Sequence, residues 1–138
     1  SVMVTQEQKK EFALSQLAPY LADPSTCGFN IENKTCEYIT PDGRMCVAGK
    51  NMIEPKLGLL KGIDDILKDL NQVQEGLFKP EVVGILTVSE WKIMQHIHDT
   101  IALDTKNLDK IINLINQLKL FTYRELVERA ESLKKVEK

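Results

Sequence analysis

Leu86-Thr87-Val88-Ser89-Glu90-Trp91-Lys92-Ile93-Met94-Gln95-His96-Ile97-His98-Asp99-Thr100-Ile101 is the stretch whose reading decides the fold. Thr87 and Glu90 have the spacing of a capping box, in which each side chain bonds the other residue's backbone amide. Leu86 and Trp91 sit where a hydrophobic staple needs them. Behind this start, Met94, Ile97 and Ile101 recur at helical spacing. The stretch therefore reads as a long amphipathic helix with a fixed beginning.

Working outward, the same chemistry recurs. Past a break near Asp104, Leu108, Ile111, Ile112, Ile115 and Leu118 form a second apolar stripe. Thr122 with Glu125, and Phe121 with Leu126, repeat box and staple. Leu126, Val127, Ala130, Leu133 and Val136 then give a last helix its inward face. Toward the N-terminus, Thr5 and Gln8 open a helix over 6–22, with Phe12, Leu14, Leu17, Ala18 and Leu21 on one side. It must end by Asp23-Pro24, because the residue before proline avoids the α region. Leu59, Leu60, Ile63, Ile66, Leu67 and Leu70 predict a further helix, weakened at its start by Gly58 and Gly62. Val82-Val83-Gly84-Ile85 reads equally as a short strand or a helical turn.

Residues 23–50 change character. They are turn-rich and hold all three cysteines, Cys27, Cys36 and Cys46. Glu37-Tyr38-Ile39-Thr40 reads as a strand and Met45-Cys46-Val47 as its return. Pro41-Asp42-Gly43 makes the turn, since proline presets φ and glycine accepts a positive one. Two strands alone are marginal in water, so this hairpin must lie on helices or on a partner. A two-residue turn sets Cys46 opposite Ile39, and a three-residue loop sets it opposite Tyr38. Only the second register puts Cys36, Tyr38 and Cys46 on one face. The predicted architecture is mainly α: an irregular bundle of about five helices with one small β-hairpin at about residues 36–48. It forms a single domain over 1–138, divided into the 6–22 helix, the 23–50 hairpin module and the helical part from 59 to 138.

A chain of 138 residues can bury roughly two-thirds of its unfolded surface and needs no staple to fold. With 28% charged residues and a formal charge of −2, it has no overall basic surface, so nucleic-acid binding is disfavoured. No run approaches the roughly 20 apolar residues of a membrane span. The N-terminal stretch lacks a signal-peptide pattern, and three cysteines do not suit a disulfide framework. The expectation is a cytoplasmic protein with reduced thiols.

Candidates for chemistry are few. The cysteines contain no closely spaced ligand pair, and a fourth zinc ligand would have to come from His96 or His98. Zinc on Cys27, Cys36 and Cys46 is therefore the lesser reading, and small buried hydrophobes the greater. His96 and His98 point in nearly opposite directions on a helix and cannot chelate one ion. His98 lies on the Trp91–Met94–Ile101 side, where it reads as a core-edge histidine bonded to a backbone carbonyl. A hydrolase with Cys46 as nucleophile and His98 as base would need an oxyanion motif that the sequence lacks. No phosphate-binding loop is present. No cofactor is expected.

Cys36-x-Tyr38, Asp42-Gly43-x-x-Cys46-x-x-Gly49 and, later, Gln95-x-Ile97-His98-Asp99 resemble the motifs of a group of small proteins encoded mainly by bacteriophages and prophages. The resemblance covers residues from about 10 to 103 and leaves out the last two helices. It implies a phage accessory protein in the bacterial cytoplasm that binds and modulates or inhibits a host protein, antiviral defence components included. It carries no activity over. The expected function is therefore non-enzymatic binding of a host or phage protein, through Tyr38, Asp42, Arg44, Lys50 and His98. The alternative is a small-ligand or nucleotide-sequestering protein, whose pocket would be lined by Tyr20, Tyr38, Trp91, Arg44, Lys50 and His98. The two C-terminal helices would either build a homodimer or close the monomer's own core.

Overall fold

A computed structural model describes residues 4–30, 32, 35–54 and 77–136. The fold is mainly α. Helix α1 spans Gln6–Ala22, α2 is the single turn Val47–Lys50, α3 spans Val88–Asp104, α4 Leu108–Leu118 and α5 Tyr123–Val136. The predicted helix around 59–70 lies outside the described residues.

The helix starts follow the local chemistry. Thr5 and Thr87 both close full capping boxes, with Gln8 and Glu90. Thr122 and Glu125 exchange the same pair of bonds ahead of α5. Asn107 caps α4, and Lys119 ends it in the left-handed region at φ 59°. The ambiguous Val82–Ile85 stretch begins on the last residue of a 3-10 turn, Pro80–Val82, and bends at Gly84, φ 79°.

Helix α1 packs chiefly on α5 and α3, and α3 on α4. Trp91 marks the centre: Phe12 meets its ring edge-on with centroids 5.8 Å apart, and Phe78 tilts against it at 4.7 Å. Leu17, Met94, Ile97, Ile101, Ile111, Ile115 and Leu126 are buried around it in one connected core. Each removes roughly 1.5–3 kcal/mol worth of apolar surface from water. The inward faces of α4 and α5 are thus used by the chain's own core, while Leu103 and Leu108 stay exposed at the α3–α4 corner.

The hairpin is the correction. No ladder forms between Glu37–Thr40 and Met45–Val47. The only two-stranded pairing among the described residues is one step earlier, β1 at Phe29–Asn30 against β2 at Thr35–Cys36, antiparallel, with Phe29 opposite Cys36. The turn is where the sequence puts it, but only Thr40 and Arg44 pair across it, through a 2.8 Å backbone bond. The return arm coils instead of extending, because Cys46 caps the α2 turn and its sulfur accepts from the Gly49 amide. Close approach fixes this shape. A Cβ on Gly49 would lie 1.9 Å from the Tyr38 carbonyl oxygen, and one on Gly28 would lie 2.2 Å from the Cys46 nitrogen.

Among the described residues no helix is long and apolar enough to cross a membrane.

Candidate functional site

The turn is braced on every side. The Gly43 amide donates to the Thr40 carbonyl at 2.9 Å, and Gly43 itself has φ 88°, a region glycine enters freely. The Arg44 amide donates to the Thr40 hydroxyl oxygen at 2.9 Å, and the Thr40 hydroxyl donates to Asp42. The Arg44 Nε–H is shared by both Asp42 oxygens at 3.0 Å, while its Nη1 donates to the Cys27 carbonyl, also at 3.0 Å. The Thr40 hydroxyl and the Arg44 guanidinium hold the Asp42 carboxyl below its usual range. Pro41, Asp42 and Gly43 are exposed at the tip. A turn fixed before anything binds loses little entropy on binding.

Behind it opens a cleft of about 610 Å³, walled by Asp42, Gly43 and Arg44 on one side and by the end of α1 on the other. Lys50 stands in this cleft. Its ammonium donates to the Gln16 carbonyl at 2.7 Å and lies 4.4 Å from the Tyr20 ring centroid. Burial pushes the Lys50 amine down to about 8. The Tyr20 hydroxyl donates to the Met45 carbonyl at 2.6 Å, tying α1 to the return arm. A second groove of about 460 Å³ runs between α1 and α5, and ion pairs of Lys10 with Glu125 and Arg129 with Glu11 line its walls.

Beneath the module lies a buried polar network. His98 is fully buried, and its Nε2 accepts from the Gly28 amide at 3.1 Å. That acceptor role places the ring proton on Nδ1, which donates to the Asp99 Oδ1 at 2.9 Å. Gln95, also buried, accepts from the Ala48 amide and donates to Asp99 and to the Cys36 sulfur. The Cys36 and Cys46 thiols are neighbours, each bearing on the other's ionisation. They meet without either hairpin register, because the coiling of α2 carries Cys46 back to the end of β2. The Cys46 thiol and burial both hold the Cys36 thiol well above its ordinary range. Burial alone would raise Cys46, but the Cys36 thiol and the Gly49 amide outweigh it and lower it. Burial pushes the Cys27 thiol up to about 12.

The structure thus divides the residues singled out in the sequence. Asp42, Arg44 and Lys50 line one cleft, together with Tyr20. Tyr38 is 2% exposed and His98 is fully buried, so neither reaches that surface, and Trp91 belongs to the core. His98 bonds a backbone amide where the sequence reading had a carbonyl. With Nε2 held by Gly28 and Nδ1 by Asp99, neither ring nitrogen is open to take a proton from Cys46. Among the described residues no three His, Cys, Asp or Glu side chains are grouped so as to hold a metal ion. Sequence reasoning assigned no role to Gln95, which links α2, β2 and α3. Its place in the Gln95-x-Ile97-His98-Asp99 run was the available signal. Comparison with family models, with curated proteins and with solved structures finds no match for this chain.

Proposed function

We propose that the protein acts by binding, as a non-enzymatic phage accessory protein that modulates or inhibits a host protein in the bacterial cytoplasm. Its contact surface is the exposed Pro41–Arg44 turn with the cleft behind it. The phage setting rests on the resemblance of the Cys36 to Gly49 and Gln95 to Asp99 motifs. The observation that carries the binding reading is the juxtaposition of a braced, exposed turn with a preformed cleft holding Lys50. A rigid protruding element beside a concavity is the geometry by which small proteins seize larger ones at low entropic cost.

Affinity capture from native host lysate tests it, with wild-type bait against Arg44→Lys and Lys50→Met baits. Arg44→Lys keeps the charge and loses the fork that grips Asp42. Lys50→Met keeps the aliphatic stem and loses the charge. The expected outcome is a protein enriched by the wild type and retained about tenfold less by either variant, with helical signal unchanged. No enriched protein, or equal enrichment by all three baits, counts against the reading.

The cleft volume favours one second reading. About 610 Å³ falls within the range of small-molecule sites, and beside Asp23 and the Asp42–Arg44 pair its walls carry the Lys50 ammonium. A small ligand with an anionic group, nucleotides included, would suit Lys50. Native mass spectrometry of the purified protein, scanning for a co-purifying anion lost in Lys50→Met, separates this from the first reading.

A further inference from the structure

On the far side of Arg44 lies a smaller pocket, about 240 Å³, lined by Phe29, Asn30, Glu37, Thr40 and Pro41 among others. Glu37 is only 6% exposed. One of its oxygens, Oε1, accepts a long bond from Asn30 at 3.4 Å, and the other, Oε2, has no hydrogen-bond partner among the described residues. A buried carboxylate in that condition is costly, because it has left water and gained little in return. Its backbone cannot relieve it: the Glu37 amide is bonded to the Gly28 carbonyl at 3.1 Å, and Tyr38 beside it is locked in the core.

The neighbouring cation does not supply the missing partner. Arg44 lines the same pocket, but its guanidinium is already committed to Asp42 and to the Cys27 carbonyl. Glu32, which is exposed, adds a second negative charge at the rim. The pocket therefore has an apolar wall from Phe29 and Pro41, an unsatisfied carboxylate inside, and a surplus of negative charge. The terminal torsion of a glutamate is soft, so either oxygen can be turned toward an incoming group.

We propose that this pocket receives the cationic head of a lysine or arginine side chain presented by the bound protein, with Glu37 as its counter-ion and Phe29 and Pro41 packing its stem. This rests on the binding reading above and extends it. Arg44 then divides two adjoining sites, one holding Lys50 and one holding Glu37, so a partner is recognised by a pair of opposite charges at a set spacing.

The test needs no partner. The full chain, labelled with ¹⁵N, is titrated with the N-acetyl methylamides of arginine, lysine and norleucine, the last having the stem without the charge. Saturable amide shifts at Asn30, Glu37, Thr40 and Arg44 are expected with at least one cationic probe, in the millimolar range, and about tenfold weaker with norleucine. Glu37→Gln should abolish them while melting no lower than the wild type. Equal response to norleucine, no saturable shift with either cation, or undiminished binding by Glu37→Gln would overturn the proposal. Should the variant fail to fold, the charge selectivity of the wild type decides alone. Because no lysate is involved, a negative titration beside a positive capture removes this site and leaves the binding reading. A positive titration beside an empty capture does the reverse.

Discussion

Gly49 and Gly43 lie close in sequence and are glycine for different reasons. At Gly49 the demand is space: the Tyr38 carbonyl carbon and oxygen stand 2.6 and 1.9 Å from where a Cβ would be, and both are backbone. Gly49→Ala should cost about 3 kcal/mol or more, since neither segment can retreat without breaking the α2 turn. At Gly43 nothing lies within 4 Å, and the demand is only the positive φ of 88°. Gly43→Ala should cost about 1 kcal/mol. Denaturant midpoints of the two variants check the contrast, and equal losses would mean that the close approach at Gly49 is not rigid. His98 makes a third case. His98→Leu keeps the bulk but leaves the buried Gly28 amide without its acceptor, at about 2–3 kcal/mol. Hydrogen exchange at the Gly28 amide should quicken in that variant by more than at the Gly43 amide.

Among the elements, α1 carries the most electrostatic traffic. Lys9, Lys10 and Glu11 follow one another and pair with three different residues: Glu90 on α3, and Glu125 and Arg129 on α5. The Lys9–Glu90 bond is 2.8 Å with both side chains 17% exposed, so it is screened less than the other two. The Lys10 ammonium holds Glu125 below its ordinary value of 4.5, and Arg129 does the same for Glu11. Burial opposes the effect at Glu90, but Lys9 and the Thr87 amide outweigh it. All three carboxylates are thus lowered on folding. Their contribution is fully present above about 4.5 and is lost as the pH falls through the lower folded values. Melting temperature should therefore drop between about pH 5 and about pH 3, and Lys9→Met should flatten part of that drop. An acid limb identical in wild type and variant would rule the Lys9 pair out as a cause. The same elements show why helices were legible in the sequence. Capping boxes and staples are local contracts between residues three to five apart, and the stripes behind them record which face is inward. The return arm at Met45–Val47 was not legible for the converse reason. Its extended-looking residues are overruled by contacts from far along the chain, with Gly28, Tyr38 and Gln95 closing around it.

For the whole molecule, the site was legible as a location and not as a set of contacts. The turn at Pro41–Arg44 and the exit at Lys50 were readable from their residue types. His98 was readable on the inward side of α3, but its bond to Gly28, the burial of Tyr38 and the burial of the Glu37 acid follow only from how α3 packs under the module. The ionisable groups drawn together there make the molecule respond to alkali in two opposed ways. Lys50 falls on folding from 10.5 to about 8, so in that interval the unfolded chain holds more protons, and stability rises with pH. Cys27 rises from 9.0 to about 12, so above 9 the folded chain holds more protons, and stability falls. Cys36 is raised too, by the Cys46 thiol and then by burial, and so is Tyr20 from its ordinary 10.0, chiefly by burial; Cys46 is lowered and so adds to the rise below 9. Stability should climb between about pH 8 and about pH 9, Lys50 contributing no more than about 1.4 kcal/mol per pH unit and Cys46 adding to it, then turn downward as the thiols of the unfolded chain ionise. Urea midpoints across that range give the curve. Lys50→Met should reduce the climb to the share that Cys46 supplies and keep the decline, because the stem still packs on Tyr20 while the buried amine is gone. A wild-type curve already falling from about pH 8, or a climb undiminished in Lys50→Met, would mean that Lys50 is solvated in the folded protein and that the cleft is more open than its geometry describes.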